Sequence, residues 1–128
     1  MEQLIFEYNK KYGLYHLRES SDLAISHLAY FLTSDVRCSS IDFFKQWLNN
    51  PAKLESGGNY STVIKNGNKI NIYFEYDYFE LEEEADSFET TIEQLNYILD
   101  RWKEVCEKKP KKVIITRDND KVTVKLQD

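Results

Sequence analysis

The feature that most constrains the fold of this chain is a stripe of apolar residues near its C-terminal third. The members recur at spacings of three and four, which places them on one face of a helix. Thr90 followed by Glu93 is a capping-box pattern at the start, and Pro110 ends the helix. A long helix with one apolar face must pack it against another layer. The stripe consists of Phe88, Ile92, Leu95, Leu99, Trp102 and Cys106, widened by Ile98 and Val105.

A hairpin is predicted at each end of the chain. Two short apolar runs, 4–8 and 14–18, flank a connection in which Gly13 takes a positive φ. The last hairpin turns at Asp118-Asn119, and its apolar residues alternate on one face. A two-residue loop at that position predicts the pairs Ile115 with Val122 and Val113 with Val124.

A third hairpin is predicted in the middle of the chain. Asn66-Gly67 favours a type I′ turn, whose two central residues need positive φ, and it joins a strand over 60–65 to one over 68–79. The second strand has a core face made of Ile70, Ile72, Phe74, Tyr76 and Tyr78. Its other face carries Asn71, Tyr73, Glu75, Asp77 and Phe79, and is either a surface that binds a partner or a solvated face with cross-strand aromatic pairs.

Two shorter helices complete the predicted elements. Residues 23–36 favour a helix, with a strand as the alternative because β-branched and aromatic residues are frequent there. Residues 43–48 form a second helix, which Pro51 and a left-handed Asn49-Asn50 close. Residues 52–59 are predicted to be a loop. The second helix places Phe43, Phe44, Trp47 and Leu48 on one side.

These elements predict an α+β fold. Hairpins build an antiparallel sheet, and one long and one or two shorter helices pack against it. At 128 residues, with 41% hydrophobic residues, the chain is long enough to bury one core. Residues 1–128 are therefore predicted to form a single domain.

The charge of the chain is concentrated in one window. Between Lys69 and Arg101 there is no Lys or Arg, while ten acidic residues lie there. The whole chain carries −5, so the rest of the chain is positive. A local negative field of this kind selects partners and does not determine the fold.

No pattern in the sequence predicts catalysis, a metal or a cofactor. His16 and His27 do not have the spacing of metal ligands, and structural roles are expected for both. The run Glu82–Glu84 lacks the alternating ligands and the Gly of a calcium loop. Gly57-Gly58-Asn59 lacks the Lys-Ser/Thr helix entry of a phosphate-binding loop. We therefore expect a protein that is not an enzyme and needs no cofactor.

Cysteine usage and hydropathy bear on the compartment. Cys38 and Cys106 are far apart in sequence and are predicted to be buried free thiols. No apolar run is long enough to cross a bilayer, and the N-terminus has no signal-peptide pattern, so a cytoplasmic location and no membrane contact are expected. An acidic chain is also a poor ligand for nucleic acid, because phosphate contacts need a basic surface.

Three segments together resemble bacterial immunity proteins of polymorphic or contact-dependent toxin systems. They are the short Trp-Leu helix IDFFKQWLNNPAK, the hairpin GGNYSTVIKNGNKINIYFEY and the final helix and strand TIEQLNYILDRWKEVCEKKPKKVIITR. Proteins of this kind are small cytosolic inhibitors that bind and neutralise a toxin domain such as a nuclease. The resemblance covers residues 40–127 and implies contact-dependent growth inhibition as the context and a basic toxin domain as the partner.

The charge pattern agrees with the function that the resemblance implies. Nuclease domains have basic clefts for phosphates, and an acidic protein that fills such a cleft is steered into it and blocks substrate entry. The predicted partner-binding residues are Tyr73, Glu75, Asp77, Phe79, Glu80, Glu82, Glu83, Glu84 and Asp86.

Two other functions remain open at this point. One is a small ligand-binding domain or enzyme with a pocket between the Gly57-Gly58 loop, the first hairpin and His16. The other is an oligomerising adaptor whose sheet edge pairs with another copy. A deep cavity with convergent polar groups would favour the first, and self-association would favour the second.

Overall fold

The structure, a computed structural model, describes residues 1–57 and 60–128. In these residues the chain has the predicted α+β fold, but its strands form two antiparallel sheets instead of one. In chain order the elements are β1 (Glu2–Asn9), β2 (Leu14–Ser20), α1 (Leu23–Tyr30), a π-helical turn (Phe31–Val36), α2 (Ile41–Leu48), β3 (Glu55–Gly57), β4 (Ser61–Asn66), β5 (Lys69–Phe74), α3 (Glu75–Leu81), a 3-10 turn (Glu82–Glu84), β6 (Ser87–Thr91), α4 (Ile92–Lys108), β7 (Lys112–Asp118) and β8 (Lys121–Gln127).

The first sheet joins the two terminal hairpins in the order β2-β1-β7-β8. The N-terminal hairpin is confirmed, and Gly13 has the expected positive φ of 65°. The C-terminal hairpin turns one residue later than predicted, because Asn119 and Asp120 take the two positive φ values of a type I′ turn. The predicted register is therefore wrong by two residues. The same side chains still face the core, with Ile115 opposite Val124 and Val113 opposite Leu126.

The second sheet has the order β3-β4-β5-β6. Its central hairpin is confirmed, but the turn residues are Gly67-Asn68, and only Gly67 has positive φ. This is the pattern of a type II′ turn, so the predicted type I′ turn at Asn66-Gly67 is wrong. Strand β3 occupies part of the predicted loop over 52–59; Gly58 and Asn59 lie outside the described residues.

The predicted long strand over 68–79 is wrong in its second half. Strand β5 ends at Phe74, and the chain continues as helix α3. Ile70 and Ile72 are fully buried as predicted, whereas Tyr76 is exposed and Tyr78 is only half-buried. Alternation cannot continue in a helix, so the predicted core face ends at Phe74.

The segment over 23–36 is helical throughout. Helix α1 begins after Asp22, whose carboxylate accepts a hydrogen bond from the backbone N–H of Ile25 at 3.0 Å. The helix widens into the π-helical turn, which ends at Arg37 with φ 48°. Helix α1 contacts strands of both sheets, so it joins them.

Helix α2 forms where it was predicted, with two corrections. Phe44, Trp47 and Leu48 are buried, but Phe43 is exposed. Asn49 ends the helix with φ −93°, so the expected left-handed closure is wrong there. Instead, the buried Lys65 ammonium donates hydrogen bonds to three carbonyl oxygens at the end of α2, those of Trp47, Leu48 and Asn50.

Helix α4 carries the apolar stripe from Ile92 onwards. Its N-cap is Thr91, whose hydroxyl accepts the N–H of Gln94, so the capping box at Thr90 is wrong. Residues before Thr91 pair with β5 as strand β6, and Phe88 is buried there as a strand residue. Lys109 closes the helix in the left-handed conformation. Ile98, Leu99, Trp102 and Val105 join the core shared by both sheets.

The two cysteines are joined in a disulfide, so the predicted free thiols are wrong. Cys38 follows the π-helical turn, Cys106 lies in the last turns of α4, and their Cα atoms are 5.8 Å apart. Cys38 is exposed and Cys106 half-buried. The tertiary fold brings together two positions that are 68 residues apart, which sequence spacing cannot reveal.

None of the helices in the described residues has the length and apolar character needed to cross a lipid bilayer.

Candidate protein-binding surface

Helix α3 contacts β4 and β5 of the second sheet, and none of its seven residues is buried. It nevertheless carries large apolar side chains: Tyr76 is 65% exposed, Phe79 81% and Leu81 55%. Exposed aromatic residues grouped in this way mark interaction surfaces more often than they mark ordinary solvated faces.

The same segment contains only one sign of charge. We call residues 75–86 the acidic segment; it has seven carboxylates and no Lys or Arg. Each predicted partner-binding residue except Tyr73 lies in it. The seven are Glu75, Asp77, Glu80, Glu82, Glu83, Glu84 and Asp86.

The nine predicted residues differ in how accessible they are. Tyr73 is buried in β5, and its ring packs against the ring of Tyr78 with centroids 4.7 Å apart, so its predicted place on an exposed sheet face is wrong. Asp77 is half-buried. The others are exposed: Glu75, Phe79, Glu80, Glu82, Glu83, Glu84 and Asp86.

Local geometry explains why a helix starts after Phe74. Phe74 is extended, and the backbone N–H of Glu75 donates to the carbonyl of Tyr60 at 2.9 Å, which fixes the exit of the chain from the sheet. Glu75 and Asp77 then occupy the first turn, where carboxylates interact favourably with the helix dipole. Glu82 ends the helix with φ 52° and ψ −130°, a conformation that non-glycine residues rarely adopt.

One side-chain contact and one buried residue anchor the far end of the acidic segment. The buried ring of His27 lies with its Nε2 3.0 Å from Oδ2 of Asp86, which links helix α1 to this end. Ala85 is buried beside it. The carboxylates between these anchors and α3 remain free to face solvent, so the surface is held at both ends.

A row of aromatic rings continues the surface beyond the acidic segment. Ring centroids are 5.2 Å apart for Tyr30 and Tyr60, 4.7 Å for Tyr60 and Phe74, and 6.3 Å for Phe74 and Tyr76. Tyr30 and Tyr60 come from α1 and from the chain just before β4, so no local sequence pattern marks them as part of this surface. Only the tertiary fold brings these residues together.

A buried carboxylate positions this row. Asp35, in the π-helical turn, is buried and accepts hydrogen bonds from the backbone N–H groups of Tyr60 at 2.9 Å and Ser61 at 2.7 Å. A buried charge is stable only when it is hydrogen-bonded in this way. In the sequence, the one feature that could have pointed to this role is an Asp within a mostly apolar helical segment.

Three tyrosines at or just beneath this surface have raised pKa values. Burial, with contributions from Tyr30 and Asp77, raises the pKa of Tyr60. Burial also raises the pKa of Tyr73, with Glu83 adding to it, and of Tyr78, with Glu55 and Glu83 among the contributors. Neighbouring carboxylates disfavour a further negative charge, so these phenols remain hydrogen-bond donors at neutral pH.

The positions of the metal-ligating side chains and of the main cavity bear on the alternative functions. Within residues 1–57 and 60–128, no three His, Cys, Asp or Glu side chains are grouped so that they could hold a metal ion. A cavity lies beside the first hairpin and His16, two of the three features between which the alternative ligand-binding hypothesis places a pocket. The described residues that line it do not include the loop at Gly57.

Comparison of the chain with protein-family models, curated proteins and solved structures returned no match.

Proposed function

We propose that this chain is an inhibitory binding protein that neutralises a basic protein domain, a nuclease toxin in the best-supported case. The observation that carries the proposal is helix α3, which buries none of its residues and presents Tyr76, Phe79 and Leu81 among carboxylates. Aromatic anchors supply binding energy, and the surrounding charge selects a basic partner. The proposed role is binding without catalysis.

The mechanism follows from the charge distribution. A cleft that binds phosphates is lined by Lys and Arg, and the acidic segment offers seven carboxylates within twelve residues. Long-range attraction accelerates the encounter, and Phe79 and Tyr76 then fill apolar space in the complex. Occupation of the cleft excludes the nucleic acid substrate.

The proposal places the protein in the cytoplasm, where a toxin would reach its substrate. Thiols are kept reduced in that compartment, so the Cys38–Cys106 pair would exist there as two neighbouring thiols. The disulfide would form on exposure to oxidants. Because the pair lies in the first half of the chain and in α4, outside the acidic segment, binding should not depend on its redox state.

The test is a capture experiment with the purified chain on a resin, using lysate of the native host. Bound proteins are identified by mass spectrometry at low and at high salt. We expect a basic domain whose recovery falls as salt rises, because screening shortens the range of the attraction. The domain eluted at high salt should have nuclease activity, and this activity should be lost when the chain is added back at low salt.

Two matched variants make the result specific. E82K/E83K/E84K reverses three charges inside the acidic segment, and E19K/E93K/E107K reverses three exposed glutamates outside it. Both change the net charge by the same amount. Capture should be much weaker with the first variant and should persist with the second. Equal loss with both, or capture of no basic protein by the wild type, would contradict the proposed surface.

A further inference from the structure

A second candidate site lies in the first sheet, on residues that the proposed function does not use. A cavity of about 300 Å³ opens between the N-terminal hairpin, the π-helical turn and the end of α4. We call it the hairpin pocket. Its lining residues include Tyr8, Leu14, Tyr15, Leu32, Arg37, Trp102 and Lys109.

The body of the hairpin pocket is apolar and aromatic. The ring of Tyr15 lies 5.0 Å from that of Tyr8 and 5.8 Å from that of Trp102, measured between centroids. Tyr15 is fixed further by its hydroxyl, which donates to the carbonyl of Pro110 at 2.6 Å. Leu14 and Leu32 contribute aliphatic surface. Ligand pockets typically combine such a lining with a few well-placed polar groups.

The ionisable side chains that line the pocket include basic residues and no carboxylate. Arg37, Lys109 and His16 line it, and no Asp or Glu occurs among its described lining residues. This is notable in a chain that carries −5, because carboxylates outnumber basic residues by 22 to 17. Two cations without a carboxylate partner in the lining favour an anionic ligand.

Both cations lie at uncommon backbone conformations. Arg37 has φ 48° at the end of the π-helical turn, and Lys109 has φ 50° at the end of α4, and a positive φ is uncommon for residues other than Gly. Neighbouring Cys38 and Cys106 are joined by the disulfide, and both line the pocket. Their Cα atoms are 5.8 Å apart, so the fold brings the two chain segments that carry the cations side by side. Strained residues of this kind occur preferentially at functional sites.

One polar group in the lining has no partner. Trp102 is almost fully buried, and among the described residues its indole Nε1 is the one buried side-chain nitrogen or oxygen without a hydrogen-bond partner. A buried donor without an acceptor is destabilising, and native structures contain few of them. Because this nitrogen is shielded from solvent, it lies behind the wall of the pocket and gives the ligand no contact of its own.

We propose that the hairpin pocket binds a small aromatic carboxylate. The apolar ring of the ligand packs among Tyr8, Tyr15 and Trp102, and its carboxylate lies between Arg37 and Lys109. A volume near 300 Å³ corresponds to roughly ten water molecules, which suits a ligand with one ring and a short acidic chain. This inference does not depend on the proposed toxin partner.

The chain contains an intrinsic reporter for this site. It has two tryptophans; Trp102 lines the pocket, whereas Trp47 lies in α2 and donates its Nε1–H to the carbonyl of Glu55. In a Trp47→Phe background, fluorescence reports on Trp102 alone. The probes are 4-phenylbutyrate and its neutral analogue 4-phenylbutyramide, which have the same ring and chain length. We expect the acid to change the fluorescence saturably and to bind at least about tenfold more tightly than the amide, because ionic hydrogen bonds are stronger than neutral ones.

Two charge variants of equal size test the role of the cations. R37Q/K109Q removes both positive charges from the lining, and K121Q/K125Q removes two from the exposed face of β8. The first should bring the affinity of the acid down to that of the amide, and the second should leave it unchanged. Circular dichroism checks that both variants are folded. Absence of saturable binding to the wild type, or equal affinity for acid and amide, would overturn the inference.

Discussion

At the residue scale, Tyr15 shows how burial controls the chemistry of a single group. Its hydroxyl donates to the Pro110 carbonyl, and burial, with smaller contributions from Tyr8 and Asp128, raises its pKa to about 12. A phenolate could not donate that hydrogen bond, and it would be poorly solvated against Trp102. The folded state therefore favours the protonated, neutral form of Tyr15.

This shift predicts a loss of stability in alkali. The folded pKa is raised above the unfolded value of 10.0, so the contribution is fully present below pH 10 and is lost as the pH rises towards about 12. Urea unfolding measured across this range should show a fall in the free energy of unfolding. In Tyr15→Phe the fall in the free energy of unfolding should be smaller, because the group with the raised pKa is gone. Some fall should remain, since other buried tyrosines still titrate. A variant with the same pH dependence as the wild type would contradict this role of Tyr15.

Asp35 and Lys65 show what sequence reasoning misses at this scale. Both charged residues are buried, and each bonds to backbone groups of a distant segment: Asp35 to the start of β4, Lys65 to the end of α2. Burial also lowers the pKa of Lys65. A charged residue in a sequence is expected to be exposed, and only the three-dimensional partners reveal the exception.

At the element scale, the chain between β5 and β6 is a helix where the sequence predicted a strand, and this helix carries the candidate surface. Alternation of apolar residues predicted a strand through Phe79, but the helix replaces it after Phe74. Tyr, Phe and Glu occur in both structures, so the local pattern did not distinguish them. The hydrogen bond from Glu75 to Tyr60, which fixes the switch, is a tertiary contact. By contrast, α4 was predictable because its stripe extends over many turns.

The same element carries charges that do not favour its own folding. Glu82, Glu83 and Glu84 follow the C-terminal end of α3, where the helix dipole repels carboxylates. Replacing them in E82Q/E83Q/E84Q should therefore raise the free energy of unfolding slightly, by roughly 0.5 kcal/mol. Urea denaturation measures this change.

The same variant should capture less of the basic partner. Stability and binding would then move in opposite directions, as expected when charges are retained for recognition. A variant that is less stable than the wild type would show instead that these glutamates stabilise the segment.

At the scale of the whole molecule, a shared core and a few cross-links hold the two sheets together. The guanidinium of Arg117 on β7 lies 4.4 Å from the ring centroid of Phe88 on β6 and forms an ion pair with Glu2 on β1. The disulfide connects the π-helical turn to α4 across 68 residues. Terminal hairpins were predictable from local turns, but their pairing into one sheet was not, because it joins β1 to the distant β7.

Reduction of the disulfide should lower the stability of the molecule. A crosslink that closes a long loop stabilises a fold by about 2–4 kcal/mol, so a thermal melt with reductant should show a Tm lower by roughly 10 °C. The double variant C38S/C106S should melt at the same temperature with and without reductant. If reductant leaves the wild-type Tm unchanged, the disulfide does not form in solution.

The central claim is that the acidic segment recognises a basic partner, and the association rate tests it most directly. The rate constant for binding to the captured basic domain should be measured by stopped flow from about 0.05 to 0.5 M salt. We predict a steep fall with salt for the wild type and for E19K/E93K/E107K, and a slower, nearly salt-independent rate for E82K/E83K/E84K. If all three proteins show the same rate and the same salt dependence, the acidic segment is not the binding surface.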